Sequence, residues 1–406
     1  MDAPFVQSIA VYGGKIWVGG YAAGETVIGG QALKTNQPFL VQLDLDGHVA
    51  HVDALGNEMG MGFPPPEVKI VTRRGMPALP ERGYVAVSTP GKLSVFGLEN
   101  LGPAVVECSI GNPMERLSPA IAIDGGFAVL AVTAPSNEVQ CGAPKTGNMM
   151  VASPAGELGL FTFLADDNDT FLHATSPLSP PARDLQLAFP NSVTSEAGIA
   201  DVSGITATMP GKVAHYKFLK QPGSPGWVPT TAKPWPDDPI LLVDDRLARE
   251  RIAGGGGTFM TGLRSTAALF ISPLDDGMKN FVDMAAAAKG TFRDLALTPM
   301  GLVLVGGAIE NVISIGGSAV TCPSGAGCAG LFLMKNNGTP VDFQVFPGKG
   351  VVSAVTMADG VGASAPTQTY VAGTFVGALD IHGNKLKSDQ ENLFVAALVL
   401  HGLNGQ

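Results

Sequence analysis

The hydrophobic positions of this chain fall in short runs and not in long helical stripes. Tyr84-Val85-Ala86-Val87, Phe127 to Val132 and Leu393 to Leu400 are typical, each bounded by residues such as Gly, Asn or Asp. Runs of about four to eight residues rich in Val, Ile, Phe and Ala, separated by such turns, predict antiparallel strands joined by hairpins. The 3.6-residue periodicity of a helix is nearly absent. The expectation is an all-β protein.

Self-similarity gives the architecture. Ile16 to Gly30 reads IWVGGYAAGETVIGG, Val303 to Gly317 reads VLVGGAIENVISIGG, and Thr369 to Gly383 reads TYVAGTFVGALDIHG. The three superpose without a gap, so Gly19-Gly20 fall on Gly306-Gly307 and Gly29-Gly30 on Gly316-Gly317. Each is followed by a loop and an apolar strand: Phe39-Leu40-Val41, Leu331-Phe332-Leu333 and Leu393-Phe394-Val395. Weaker copies lie between, at Tyr84 to Val87, Phe127 to Val132 and Gly257-Thr258-Phe259, with residues 184–240 the most divergent. Counting from the first strand of each copy puts starts near Val6, Val68, Pro119, Asp184, Leu241, Thr291 and Val351. Units of roughly 58 residues with room for four strands match the blade of a β-propeller. The reading is a single domain over residues 1–406: seven four-stranded blades, with the N- and C-terminal units meeting to close the ring. The paired glycines end the second strand, where a β-branched side chain would need positive φ or would crowd a neighbouring backbone.

The stretch Tyr370-Val371-Ala372-Gly373-Thr374-Phe375 through Asn392-Leu393-Phe394-Val395-Ala396-Ala397-Leu398 resembles the β-propeller repeats of bacterial secreted and cell-surface proteins, the SBBP type. The clear matches cover three units. The chain does not resemble WD40 or kelch repeats, lacking their Trp-Asp and downstream Tyr and Trp signatures. The resemblance implies a propeller fold and a surface or envelope location, and it implies no catalytic residues.

Composition narrows the classes. Gly (53) and Pro (31) are abundant among 406 residues, 15% are charged and 45% hydrophobic, which excludes long-helix architectures and intrinsic disorder. A net charge of −10 makes nucleic acid a poor partner. No apolar run reaches the roughly 18 residues of a membrane span. Met1-Asp2-Ala3-Pro4 lacks the basic start of a secretory signal, so the chain is either cytoplasmic or numbered from a mature form. The four cysteines favour the second. Cys322 and Cys328 bracket a five-residue polar loop that can close into a disulfide ring, and Cys108 and Cys141 could pair across neighbouring segments, although four cysteines allow three connectivities. Zinc is disfavoured by the spacing. An oxidising compartment, extracellular, cell-surface or periplasmic, is expected.

The candidate sites are few. Residues 222–239 hold six prolines together with Trp227 and Trp235, a loop on which a sugar or a partner protein could stack. Acidic turns recur at Asp44 to Gly47, Asp166 to Asp169, Asp237-Asp238, Asp244-Asp245 and Asp275 to Gly277. Asp166, Asp167 and Asp169 make the best calcium candidate, because three carboxylates fall within four residues. His48 and His51, three apart near a strand, should lie on opposite faces and not bind one metal. The Gly254 to Gly257 run lacks the Lys of a phosphate-cradling loop, and the arginines at 246, 249 and 251 sit among acids as on a solvated face. No nucleophile elbow or zinc-protease helix is present. The sequence therefore points to a non-catalytic, exported protein-interaction or structural propeller. A carbohydrate-binding propeller is the alternative, and a hydrolase or lyase with its site at the channel mouth the second alternative.

Overall fold

In the computed structural model the described residues form strands, turns and loops, with no α-helix among them. The structure describes residues 4–400 apart from 61–62, 74–79, 113, 116, 125, 134–137, 145–147, 154–158, 165–170, 176–186, 197–198, 207–212, 221–226, 235–247, 252–257, 265–267, 274–281, 287–288, 298–301, 311, 316–317, 323–326, 336–338 and 359–367. Between residues 145 and 292, side chains are described only at 160–163, 202 and 219. Among the described residues the strands make seven sheets of three or more strands and two small separate hairpins.

The repeat sequence dictates its own local geometry. In the first copy, Pro4–Tyr12 pairs antiparallel with Lys15–Ala22, and the register slips between Val6 and Ser8, opposite Gly20 and Gly19. In the copy at Val303–Glu310 the partner strand slips between Phe292 and Asp294, opposite Gly307 and Gly306. In the last copy the slip lies between Val352 and Ala354, opposite Gly373 and Ala372. Each small-residue pair thus faces a β-bulge in the first strand. A Cβ on Gly20 would collide with the Phe5 carbonyl oxygen, and one on Gly373 with that of Val351. The requirement is close backbone approach, because neither glycine has positive φ. The hairpin tips differ in kind. Gly29 and Gly30 (φ 55° and 84°) close the turn between Ile28 and Gln31, and His382 and Gly383 (φ 51° and 87°) close the aligned turn between Ile381 and Asn384. Two successive left-handed residues are what a two-residue hairpin loop demands.

The chain divides into two compact units, each with its own packing. One comprises Met1–Thr35, Phe39–Asp53 and Pro236–Gln406. It holds the first sheet (Pro4–Tyr12, Lys15–Ala22, Gln37–Leu43, Val49–Ala54), apart from residues 37, 38 and 54 that fall to the other unit, and the fifth sheet (Ala248–Arg251, Thr258–Arg264, Ala268–Pro273, Val282–Ala286). It also holds the sixth (Lys289–Leu297, Val303–Glu310, Cys328–Met334, Pro340–Phe346) and the seventh (Lys349–Ala358, Gln368–Ile381, Asn384–Leu398). The first strand of the fifth sheet packs on that of the sixth, the sixth on the seventh, and the seventh on Pro4–Tyr12. Ile16, Val18 and Phe39 accordingly share one core with Ala354, Tyr370 and Ala372, so the two ends of the sequence are side by side. A second core joins Leu304, Leu331 and Leu333 to Val371, Phe375 and Phe394.

The other unit comprises Asn36–Pro38 and Ala54–Trp235. Its third sheet (Ser118–Asp124, Phe127–Thr133, Gly159–Leu164, Phe171–Thr175) packs through its first strand on the second sheet, which begins at Glu67–Arg73, and on the fourth, which begins at Leu187–Glu196. Tyr84, Leu93 and Val106 of the second sheet pack with Leu130, Phe161 and Phe163 of the third.

Four strands per sheet, the expectation from the repeat, fails at two places. The second sheet has six strands, because the hairpin Val139–Ala143 and Asn148–Ser153 leaves the third sheet between its second and third strands and pairs with Val106–Ser109. The Cys108–Cys141 disulfide ties that junction at directly opposed positions. The seventh sheet has three strands among the described residues, since nothing there pairs beyond Asn384–Leu398.

Candidate functional site

The edge of the seventh sheet that no described strand covers is the feature that the repeat makes meaningful. In the first sheet Phe39, Leu40 and Val41 are fully buried, and in the sixth so are Leu331, Phe332 and Leu333, each triplet flanked by a fourth strand. The aligned triplet in the seventh sheet is Leu393-Phe394-Val395. Phe394 is buried, but Leu393 and Val395 are only half-buried and Ala397 is exposed. One face of this strand reaches the core that holds Ile16 and Phe39, against which Leu393 and Val395 pack. The other face carries Phe394 and Leu398 into the core of the sixth and seventh sheets. Phe375 meets Phe394 edge-on at 6.4 Å, and Thr374 Oγ1 donates to Glu391 Oε1 at 2.9 Å where the strand bulges. The strand is firmly seated on one side, and among the described residues no strand pairs with it on the other. Such an edge is a template for an added strand.

A second feature lies at the turn after Gln37–Leu43. Asp44 Oδ1 accepts from the backbone N–H of Asp46 (3.0 Å) and of His48 (2.8 Å), and its Oδ2 lies 3.2 Å from His48 Nδ1. The His48 amide bond, before any other cause, holds the Asp44 carboxyl below its ordinary range. Asp44, Asp46 and His48 bring ligand atoms within 4.8 Å of one another. Both oxygens of Asp44 already serve the turn, so its geometry is that of an Asx-type cap. His51 faces a different carboxylate, Asp53, at 3.0 Å. Nearby in the same unit the Tyr370 hydroxyl donates to Gln368 Oε1 at 2.6 Å, and burial, followed by the Asp46 carboxylate, pushes the phenol up.

Of the residues singled out from sequence, all four cysteines are placed, in the bridges Cys108–Cys141 and Cys322–Cys328. Trp227 opens the strand Trp227–Pro234, where its backbone pairs with Lys220. The Trp227 side chain, Trp235, and the calcium candidates Asp166, Asp167 and Asp169 lie outside the described residues. Sequence reasoning passed over the Leu393 edge, although its signal was present: an apolar triplet aligned with two buried ones. It also passed over Arg73 and Arg82 in the second sheet.

No family model and no curated protein matches this chain. Solved structures similar to it include Sqt1 of Saccharomyces cerevisiae, at 9% identity and a TM-score of 0.43 over 91% of this chain and 93% of that one. A neuraminidase-like protein of a flat-faced bat isolate is similar at 9% identity and a TM-score of 0.40, over 98% and 88%. An endo-arabinase from Bacteroides thetaiotaomicron is similar at 10% identity and a TM-score of 0.35, over 70% and 95%. Similarity of this degree assigns neither family nor activity.

Proposed function

We propose that the chain is an exported β-propeller of seven blades whose role is to bind a protein partner, and that the partner's contact is an extended strand added to Leu393–Leu398. One observation carries the reading: a strand whose aligned counterparts are fully buried and flanked by a fourth strand is only partly buried in the last sheet, where no described strand flanks it. The shared core of the first and last sheets supports ring closure, and the two disulfides support an oxidising compartment. Main-chain hydrogen bonds would supply affinity at such an edge, with the half-buried Leu393 and Val395 as apolar anchors.

The test uses the molecule's own fourth strand as the probe. A labelled peptide with the sequence of Pro340–Phe346 and its flanks should bind wild type and slow hydrogen exchange at the amides of residues 393–398. Ala397→Lys, a charge placed on the exposed edge, should abolish both effects. The proposal is sunk if those amides are already as protected in the free chain as those of Gln37–Leu43, or if the peptide leaves them unchanged.

A further inference from the structure

Two arginines face one another inside the second sheet. Arg73 ends the strand Glu67–Arg73 and Arg82 begins Arg82–Thr89, and the antiparallel register sets them directly opposite. Both are more than nine-tenths buried, at 6% and 7% exposure. Like charges opposed across a strand pair repel, and burial makes the repulsion worse. A carboxylate answers Arg82, whose Nη1 donates to Glu99 Oε1 at 2.6 Å. Arg73 donates Nη2 to the Pro80 carbonyl oxygen at 2.6 Å, and its Nε and Nη1 are buried without an acceptor. Desolvation, the first cause, pulls the Arg73 guanidinium below its usual range, with the neighbouring charge of Arg82 adding to it and Tyr84 opposing. Yet a guanidinium cannot shed its proton in a protein, so its buried N–H groups call for an acceptor instead.

We propose that Arg73 and Arg82 form a binding site for a small oxyanion, either a carboxylate or a tetrahedral sulfate or phosphate group, held by the Arg73 Nε and Nη1 donors. A planar, always-charged guanidinium fork suits these groups, and a bound anion would relieve the repulsion between the two cations as well as satisfy the orphaned donors. The site lies in a different unit from the Leu393 edge, so neither proposal depends on the other.

The experiment follows arginine Nε–H resonances of protein labelled with 15N-arginine during titration with sodium sulfate, sodium phosphate or sodium acetate, against sodium chloride at equal ionic strength. The expected result is saturable movement of the Arg73 resonance with at least one oxyanion and none with chloride. Sulfate or phosphate acting alone would mark a tetrahedral ligand, and acetate acting alone a carboxylate. Arg73→Met should lower the affinity at least tenfold. Glu99→Gln, which removes the competing negative charge and leaves the buried arginines intact, should raise it several-fold and serves as the test if Arg73→Met fails to fold. A resonance that does not move, movement that chloride reproduces, or unchanged affinity in both variants overturns the site.

Discussion

The first and last sheets are built from the same sequence pattern and packed into the same core, yet among the described residues only the first has a fourth strand. Both bulge their first strand over a glycine, at Gly20 and Gly373. Both close a hairpin with two left-handed residues. They part at the third strand: Val49–Ala54 flanks Gln37–Leu43, while Asn384–Leu398 has no described neighbour on its far side. The lesson is that an apolar strand records the environment it was written for, whether or not that environment is present.

Four measurements test how far the two sheets differ. The largest effect is expected from core truncation. Phe39→Ala should cost about 4 kcal/mol in urea unfolding, because it empties a fully buried site. Leu393→Ala at the aligned position should cost only about 1 kcal/mol, since its side chain is only partly buried. Equal losses would mean that the last sheet is covered in solution. Next, Gly20→Ala and Gly373→Ala should each cost about 3 kcal/mol, because both would drive a methyl group into a first-strand carbonyl. A mild effect at Gly373 alone would show that the last bulge yields more easily.

Tyr370 bears on the seam between the two sheets. Its raised pKa means that the unfolded chain ionises first. The corresponding stability is complete below the ordinary phenol value near 10 and is lost as pH rises above it. Tyr370→Phe should remove that alkaline loss from a pH series of melting temperatures, and a wild-type profile already flat above pH 10 would contradict the burial. The smallest effect concerns the turns. Asp44 accepts two backbone amides, whereas Asp380 accepts the Gly383 amide at 2.7 Å. Asp44→Asn and Asp380→Asn should each lower the melting temperature less than any of the substitutions above. The lowered pKa of Asp44 gives its contribution a sign: it is present above the usual carboxylate range and lost as pH falls through the depressed value. Asp44→Asn should flatten that acid limb.

How far the sequence was legible depends on the range of the interaction. The Cys322–Cys328 ring spans six residues, and a short loop announces its own closure. His382-Gly383, aligned with Gly29-Gly30, likewise closes a turn between neighbouring residues, even though a histidine stands where glycine is the easy choice. By contrast, the hairpin at residues 139–153 pairs with the sheet before its own, and neither its apolar content nor its turns name that destination. The burial of Arg73 was equally hidden, because a lone arginine at a strand end reads as solvated until the strands around it are known.

The amino-acid order alone determined that the chain folds as short antiparallel strands in recurring sheets, since alternating runs, turn residues and glycines that make room for a neighbouring backbone act within a few positions of one another. Which sheet gained a borrowed hairpin, which has no fourth strand among the described residues, and which two guanidinium groups were enclosed together came from the folded arrangement. Those outcomes depend on pairings between distant segments, and the energy of such a pairing belongs to both partners at once, so neither stretch of sequence carries it by itself.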